Sequence, residues 1–199
     1  MKSFFGQFKS SALELKNIRT LTTTGILIAM AMILRVFAIQ ITPELRITFS
    51  FIAIVIVGML YGPVVCAMST LTIDILGYLV DSRSMGGYYP PLALVVVIAG
   101  MFYGVFLYKK RINVINITLA KASVNLICNI GLNSYFLYTG FVNKGFNISD
   151  TSEWNAFFVW LVPRAIKNLA LLPIEIVMLC MILPIASNAY KKVHRFNHV

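Results

Sequence analysis

The sequence predicts an all-α integral membrane protein, a single bundle of six transmembrane helices with both termini cytoplasmic. Three observations predict it. Hydrophobic residues make up 59% of the 199-residue chain and charged residues only 12%, where soluble domains run at about 45–50% and about 25%. Too little polar surface remains to cover such a core, so the apolar excess must face lipid. Six stretches, at roughly 20–41, 47–60, 64–80, 91–107, 112–138 and 156–186, approach the ~20 apolar residues that cross a ~30 Å hydrocarbon slab. The basic residues outside those stretches sort by side.

Residues 1–19 come first. Phe4, Phe8, Ala12, Leu15 and Ile18 recur at helical spacing, while Lys2, Lys9 and Lys16 share another face. This segment reads either as an amphipathic helix on the cytoplasmic membrane surface or as a disordered basic tail. The apolar run after it is too long for a secretory signal and offers no convincing cleavage site. Residues 20–188 form the membrane domain, without internal repeats, and 189–199 a basic cytoplasmic tail.

One side of the membrane receives Lys2, Lys9, Lys16, Arg19, Lys109, Lys110, Arg111, Lys191, Lys192 and Arg195. The other receives Arg46, Arg83 and Lys144, beside Glu44, Asp81, Asp150 and Glu153. The positive side is the cytoplasmic one. The net charge of +10 is therefore mostly topology, and no nucleic-acid partner is implied. Tyr61-Gly62-Pro63 and residues 108–111 make tight inner turns, whereas 80–90 and 139–155 are long outer connections of the kind that form lids or binding loops. Their placement suggests a site open to the outside.

Catalytic signatures are missing. The chain carries no phosphate loop, dinucleotide fingerprint, zinc-protease motif or nucleophile elbow. His194 and His198 have the spacing of a helical metal pair but lack further ligands, so they read as tail residues. Cys66, Cys128 and Cys180 lie inside spans and read as small buried hydrophobes. Neither an enzyme, a metal nor a cofactor is expected.

The chemistry concentrates in six ionisable residues within the spans: Arg35, Asp74, Lys121, Arg164, Lys167 and Glu175. Each costs about 2.5–3.5 kcal/mol at a helix centre, so they must face protein or a watered cavity. At 1.5 Å per residue, Arg35 and Asp74 lie roughly 9 Å below the outer end, Arg164 about 12 Å and Lys167 about 16 Å. Lys121 and Glu175 lie roughly 14 and 16 Å above the inner ends, where they can pair with each other. Arg164, Lys167 and Asn168 share one helix face, and Asn125 and Asn129 form a second polar pair that either bonds helix to helix or meets ligand.

Four cations against two anions leave a surplus of +2. A dianion would neutralise it, and Phe49, Phe51, Tyr88, Tyr89 and Trp160 are placed to stack on a flat ring. The expected ligand is an anionic aromatic solute.

With these residues in place, the chain resembles the substrate-binding S components of energy-coupling factor (ECF) vitamin transporters, and among them the folate-specific type. The resemblance rests on the Leu45-Arg46-Ile47-Thr48-Phe49-Ser50-Phe51 run, the Leu60-Tyr61-Gly62-Pro63 turn, and Pro163-Arg164-Ala165-Ile166-Lys167-Asn168 with Pro173-Ile174-Glu175 downstream. It implies high-affinity capture of folate outside, then delivery inward by association with a membrane coupling protein and two cytoplasmic ATPases. Family members dock through small residues on the first helix, and Gly25, Ala29 and the nearby Ala31 are the nearest match. Close helix approach needs such residues. An S component for another vitamin or anionic aromatic solute is the alternative. Asp74 is expected to meet either the pterin ring or Arg35.

Overall fold

The structure is a computed structural model that describes residues 2–37, 39–40, 46–80, 88–143, 146 and 150–195. Helix α1 (Lys2–Glu14) ends in a short turn at Leu15 and Lys16, and Asn17 caps α2 (Ile18–Val36) by accepting from the Arg19 amide at 3.1 Å. Asn suits this position because its oxygen satisfies an amide the helix leaves orphaned. The segment 1–19 is therefore largely helical. The first span is shorter than expected: helix gives way to an antiparallel ribbon, β1 (Ile39–Gln40) with β2 (Arg46–Ile47), pairing Ile39 with Ile47. Pro43 lies ahead, and a proline disfavours helix in the residue before it.

Helix α3 (Ser50–Val80) contains the second and third expected spans. Gly62 sits at φ +86°, ψ −171°, and the chain folds back there. The Cys66 thiol donates to the Ile54 carbonyl at 3.4 Å, although twelve residues of straight helix would separate them by about 18 Å. Two arms, 50–61 and 63–80, thus form a helical hairpin around a glycine whose positive φ any side chain would strain. Pro63 follows as the first residue of the second arm, where its missing amide costs nothing.

Helix α4 (Pro90–Leu107) packs along this hairpin through two glycines one turn apart. A Cβ on Gly100 would lie 2.8 Å from Thr70 Oγ1, and one on Gly104 would run into the Pro63 backbone. Backbones approach this closely only where side chains are absent. The main core gathers on the hairpin, with Val55, Tyr61, Val65, Cys66 and Tyr103 joined by Cys128, Leu179 and Leu183.

After a corner at Tyr108–Lys109, the chain rises as α5 (Val114–Ser123), a π-helical segment Val124–Asn133, the short α6 (Ser134–Leu137) and a second π-helical segment Tyr138–Val142. Helix α7 then runs over Thr151–Arg195, much longer than the expected 156–186, with Pro163, Pro173 and Pro184 inside it. Its 45 residues would extend about 68 Å if straight. The expected tail at 189–199 is thus helical through Arg195, His194 included, and 196–199 with His198 lie outside the described residues.

Among the described residues, five helical stretches are long and apolar enough to cross a membrane: Ile18–Val36, Ser50–Val80, Pro90–Leu107, Val114–Val142 and Thr151–Lys192. The outward faces of α2 and α7 show Ile26, Ile33, Val159, Ile166, Met181 and Ile185 more than half exposed. Apolar surface on this scale belongs against lipid.

Candidate ligand-binding site

Arg164 lies on α7 with its guanidinium carbon 4.6 Å from the Trp160 ring centroid. The stack supplies a cation–π attraction and a fixed plane. The Asn168 amide donates to the Arg164 carbonyl at 2.9 Å, Asn125 donates to the Asn168 carbonyl at 2.8 Å, and Asn129 donates to the Asn125 side-chain oxygen at 3.1 Å. This chain of amides ties the π-helical segment to α7. A π turn inserts an extra residue and is common where a helix must reorient side chains. Asn125 is 1% exposed, so its amide fastens helices, while Lys167 sits half-buried on the Arg164 face.

Above Arg164 the rings condense into one cluster that the sequence reading only partly foresaw. Tyr138 contacts Trp160 at 5.4 Å, Phe157 at 5.2 Å and Phe146 at 5.7 Å, and Phe146 contacts Trp154 at 5.2 Å. Trp160 was expected; Tyr138, Phe146, Trp154 and Phe157 were not. The available signal was Trp154, Phe157, Phe158 and Trp160 within seven residues. Tyr138 and Phe146 join only through tertiary packing.

Tyr88 and Tyr89 diverge. The Tyr88 hydroxyl donates to Asp74 Oδ2 at 3.0 Å and its ring meets Tyr78, whereas Tyr89 packs on Phe141, over Gly140. Burial first, and then the Asp74 carboxylate, pushes the Tyr88 hydroxyl above its usual pKa. The Arg35 guanidinium covers Gly77, one turn beyond Asp74, where a Cβ would collide with it. Asp74, Arg35 and Tyr88 therefore gather at one end of α3. Of the lid expectation at 80–90 and 139–155, residues 81–87, 144–145 and 147–149 lie outside the described residues, while 139–142 and 151–155 are helical.

Two expectations need correction. Phe51 is not an outer ring: it is buried, with Lys121 Nζ 4.2 Å from its centroid. The arm 50–61 is about 18 Å long, and Phe49, just before it, packs half-buried on the core. Ala31 faces inward, fully buried with Ala53 and Ile73, and has no place on a docking surface. Gly25 and Ala29 are exposed, and a Cβ on Gly25 would meet nothing within 4 Å.

Lys121 and Glu175 pair as expected, Nζ to Oε2 at 3.1 Å, with side chains 4% and 20% exposed. Removing that pair from the charge count leaves Arg35, Arg164 and Lys167 against Asp74, and the formal surplus stays at +2. Cys66 and Cys128 are buried and Cys180 half-buried, all as free thiols.

The structure is that of a helical membrane protein that carries cations and rings together on α7. The chain belongs to the family described as "ECF transporter, substrate-specific component", whose pattern matches residues 19–183. That family is a transporter component rather than an enzyme. Among its relatives, the folate transporter FolT of Clostridium novyi is 28% identical over 145 residues, covering 73% of this chain and 76% of that one. FolT of Leuconostoc mesenteroides is 25% identical over 159 residues, covering 78% and 81%. A crystal structure of FolT bound with folic acid superposes with a TM-score of 0.65 at 31% identity, covering 81% of this chain and 89% of that one.

Proposed function

We propose that this chain is the folate-binding subunit of an ECF importer, capturing folate from the outside and delivering it inward. The observation that carries the reading is the α7 face of Arg164, Lys167 and Asn168 beside the Trp160 and Tyr138 rings. A glutamate tail with two carboxylates suits the +2 surplus, and a pterin suits the rings. Similarity to a FolT bound with folic acid supports the same ligand. In this reading Arg164 and Lys167 hold carboxylates, while Asn125 and Asn129 position α7. Trp160, Tyr138 and Tyr89 offer rings to the pterin, and Asp74, supported by Tyr88 and Arg35, meets the pterin N–H groups.

The hairpin brings the reading to six spans, with both termini cytoplasmic, an amphipathic N-terminal segment before them and a basic end after. A membrane coupling protein docks on the open Gly25 and Ala29 stripe, and two ATPases on the cytoplasmic side supply ATP hydrolysis. Calorimetry with folate tests the site: Arg164→Ala and Lys167→Ala should each weaken binding at least roughly tenfold, and Arg164→Lys should not restore it. Unchanged affinity in both Ala variants overturns the assignment. Ala29→Trp should bind folate normally in detergent yet fail in ATP-dependent uptake with the coupling protein and ATPases.

A further inference from the structure

At the end of the bundle opposite the aromatic cluster, a cavity of about 710 Å³ opens between the end of α1, the α3 hairpin turn, the corner after α4 and the end of α7. Its rim carries Lys109, Lys110, Arg111 and Lys191 against the single acid Glu14, whose carboxylate already accepts a hydrogen bond from Thr20 at 3.1 Å. Its wall mixes the apolar Met59, Leu60, Leu107, Ile112 and Pro184 with the polar Ser187, Asn188 and Tyr190. The corner is built rather than loose. Lys109 holds φ +55°, an uncommon conformation for a residue with a side chain. Its ammonium is fixed by Ser10 Oγ at 2.6 Å and lies 5.0 Å from the Tyr108 ring centroid.

We propose that this cavity binds the phosphate headgroup of an anionic phospholipid. Clustered cations at a membrane interface recognise phosphate, and charge alone would serve a free phosphate equally well. The apolar part of the wall distinguishes the two, because a lipid brings a glycerol and acyl stem that covers it while an inorganic ion leaves it wet. A side that merely obeys the positive-inside rule needs no cavity at all. The proposal rests on the orientation given above, which puts this end at the cytoplasmic leaflet, and it concerns none of the residues assigned to folate.

The test uses the full chain in nanodiscs of phosphatidylcholine with phosphatidylglycerol, extracted and weighed with its retained lipid by native mass spectrometry. Wild type should retain phosphatidylglycerol over phosphatidylcholine, and Lys110→Gln/Arg111→Gln should lower that retention by roughly tenfold or more. Lys16→Gln/Arg19→Gln removes the same charge from exposed positions outside the cavity and should leave retention unchanged. Equal loss in both double variants, or loss in neither, overturns the proposal. Displacement of the lipid by inorganic phosphate at equal concentration overturns it in favour of a free-anion site. Folate calorimetry on the same preparations separates the two readings: folate bound with no lipid preference sinks only this one, and lipid retained without folate binding sinks only the other.

Discussion

The two ends of this bundle both collect cations and rings, yet they are built in opposite ways. At the hairpin end, contacts run to backbone: Gly104 lies against the Pro63 backbone, and the buried Ser11 hydroxyl of α1 donates to the Tyr61 carbonyl at 2.7 Å. Ser11 also accepts from the Val64 and Val65 amides at 3.0 and 3.3 Å. It therefore caps the second hairpin arm from another helix, satisfying amides that Pro63 and the turn leave orphaned. Tyr61 and Tyr190 close the same end edge to face. At the Arg164 end, most contacts run between rings, beside side-chain amides that reach the Arg164 and Asn168 carbonyls. Backbone contacts are rigid, whereas rings re-pack by rotating. The first end suits a fixed pivot and the second a site that must admit a solute.

The largest effect is expected between the two ends, at Lys121 and Glu175. Lys121→Met should lower stability by about 3–5 kcal/mol, because Glu175 is left without its partner, and adding Glu175→Leu should restore much of the loss. Denaturant titration in detergent reads both. A single variant as stable as wild type would show that the pair is not what joins α5 to α7.

A glycine pair sharpens the contrast between the ends. Gly104→Ala forces a methyl into the Pro63 backbone and should cost about 1–3 kcal/mol or more. At Gly140 the nearest atoms such a methyl meets belong to the Tyr89 ring, at 2.8 Å, and a ring can swing aside. Gly140→Ala should therefore cost less than about 1 kcal/mol. Equal losses in thermal denaturation would erase the distinction between a rigid and a re-packable end.

Ser11→Ala comes next, with an expected loss of about 1–2 kcal/mol from the cap. Its signature is local: amide exchange should quicken at Val64 and Val65 and through α1, while folate affinity holds. The smallest effect concerns Asp150, whose carboxylate accepts from the Ser152 amide and hydroxyl, both at 2.9 Å, at the start of α7. These bonds hold its carboxyl below the ordinary value of 3.8. The contribution is therefore complete at neutral pH and disappears as pH falls through that depressed value. Asp150→Ala should quicken exchange at the Ser152 amide at neutral pH and remove its acid sensitivity, with no change elsewhere in the bundle.

The sequence by itself determined the apolar helices and their approximate bounds, the Gly62 turn and the spacing of the charges along each helix. These follow from hydropathy, from the conformational freedom of glycine and from 1.5 Å per residue, all of which are local properties. Depth sufficed to anticipate the Lys121 and Glu175 pair, and spacing sufficed to put Arg164, Lys167 and Asn168 on one face. What local properties do not contain is which way a residue at a given depth points and what it meets there. Phe51 and Ala31 are the clearest cases: both sit where the sequence put them along the chain, and both turn inward because a short hairpin arm and its neighbours claim them. Tertiary structure alone decided that Ser11 would cap a helix more than fifty residues away. It also gathered Tyr138 against Trp160 and Phe146 against Tyr138, contacts between separate segments that a reading at the 3.6-residue period does not bring together.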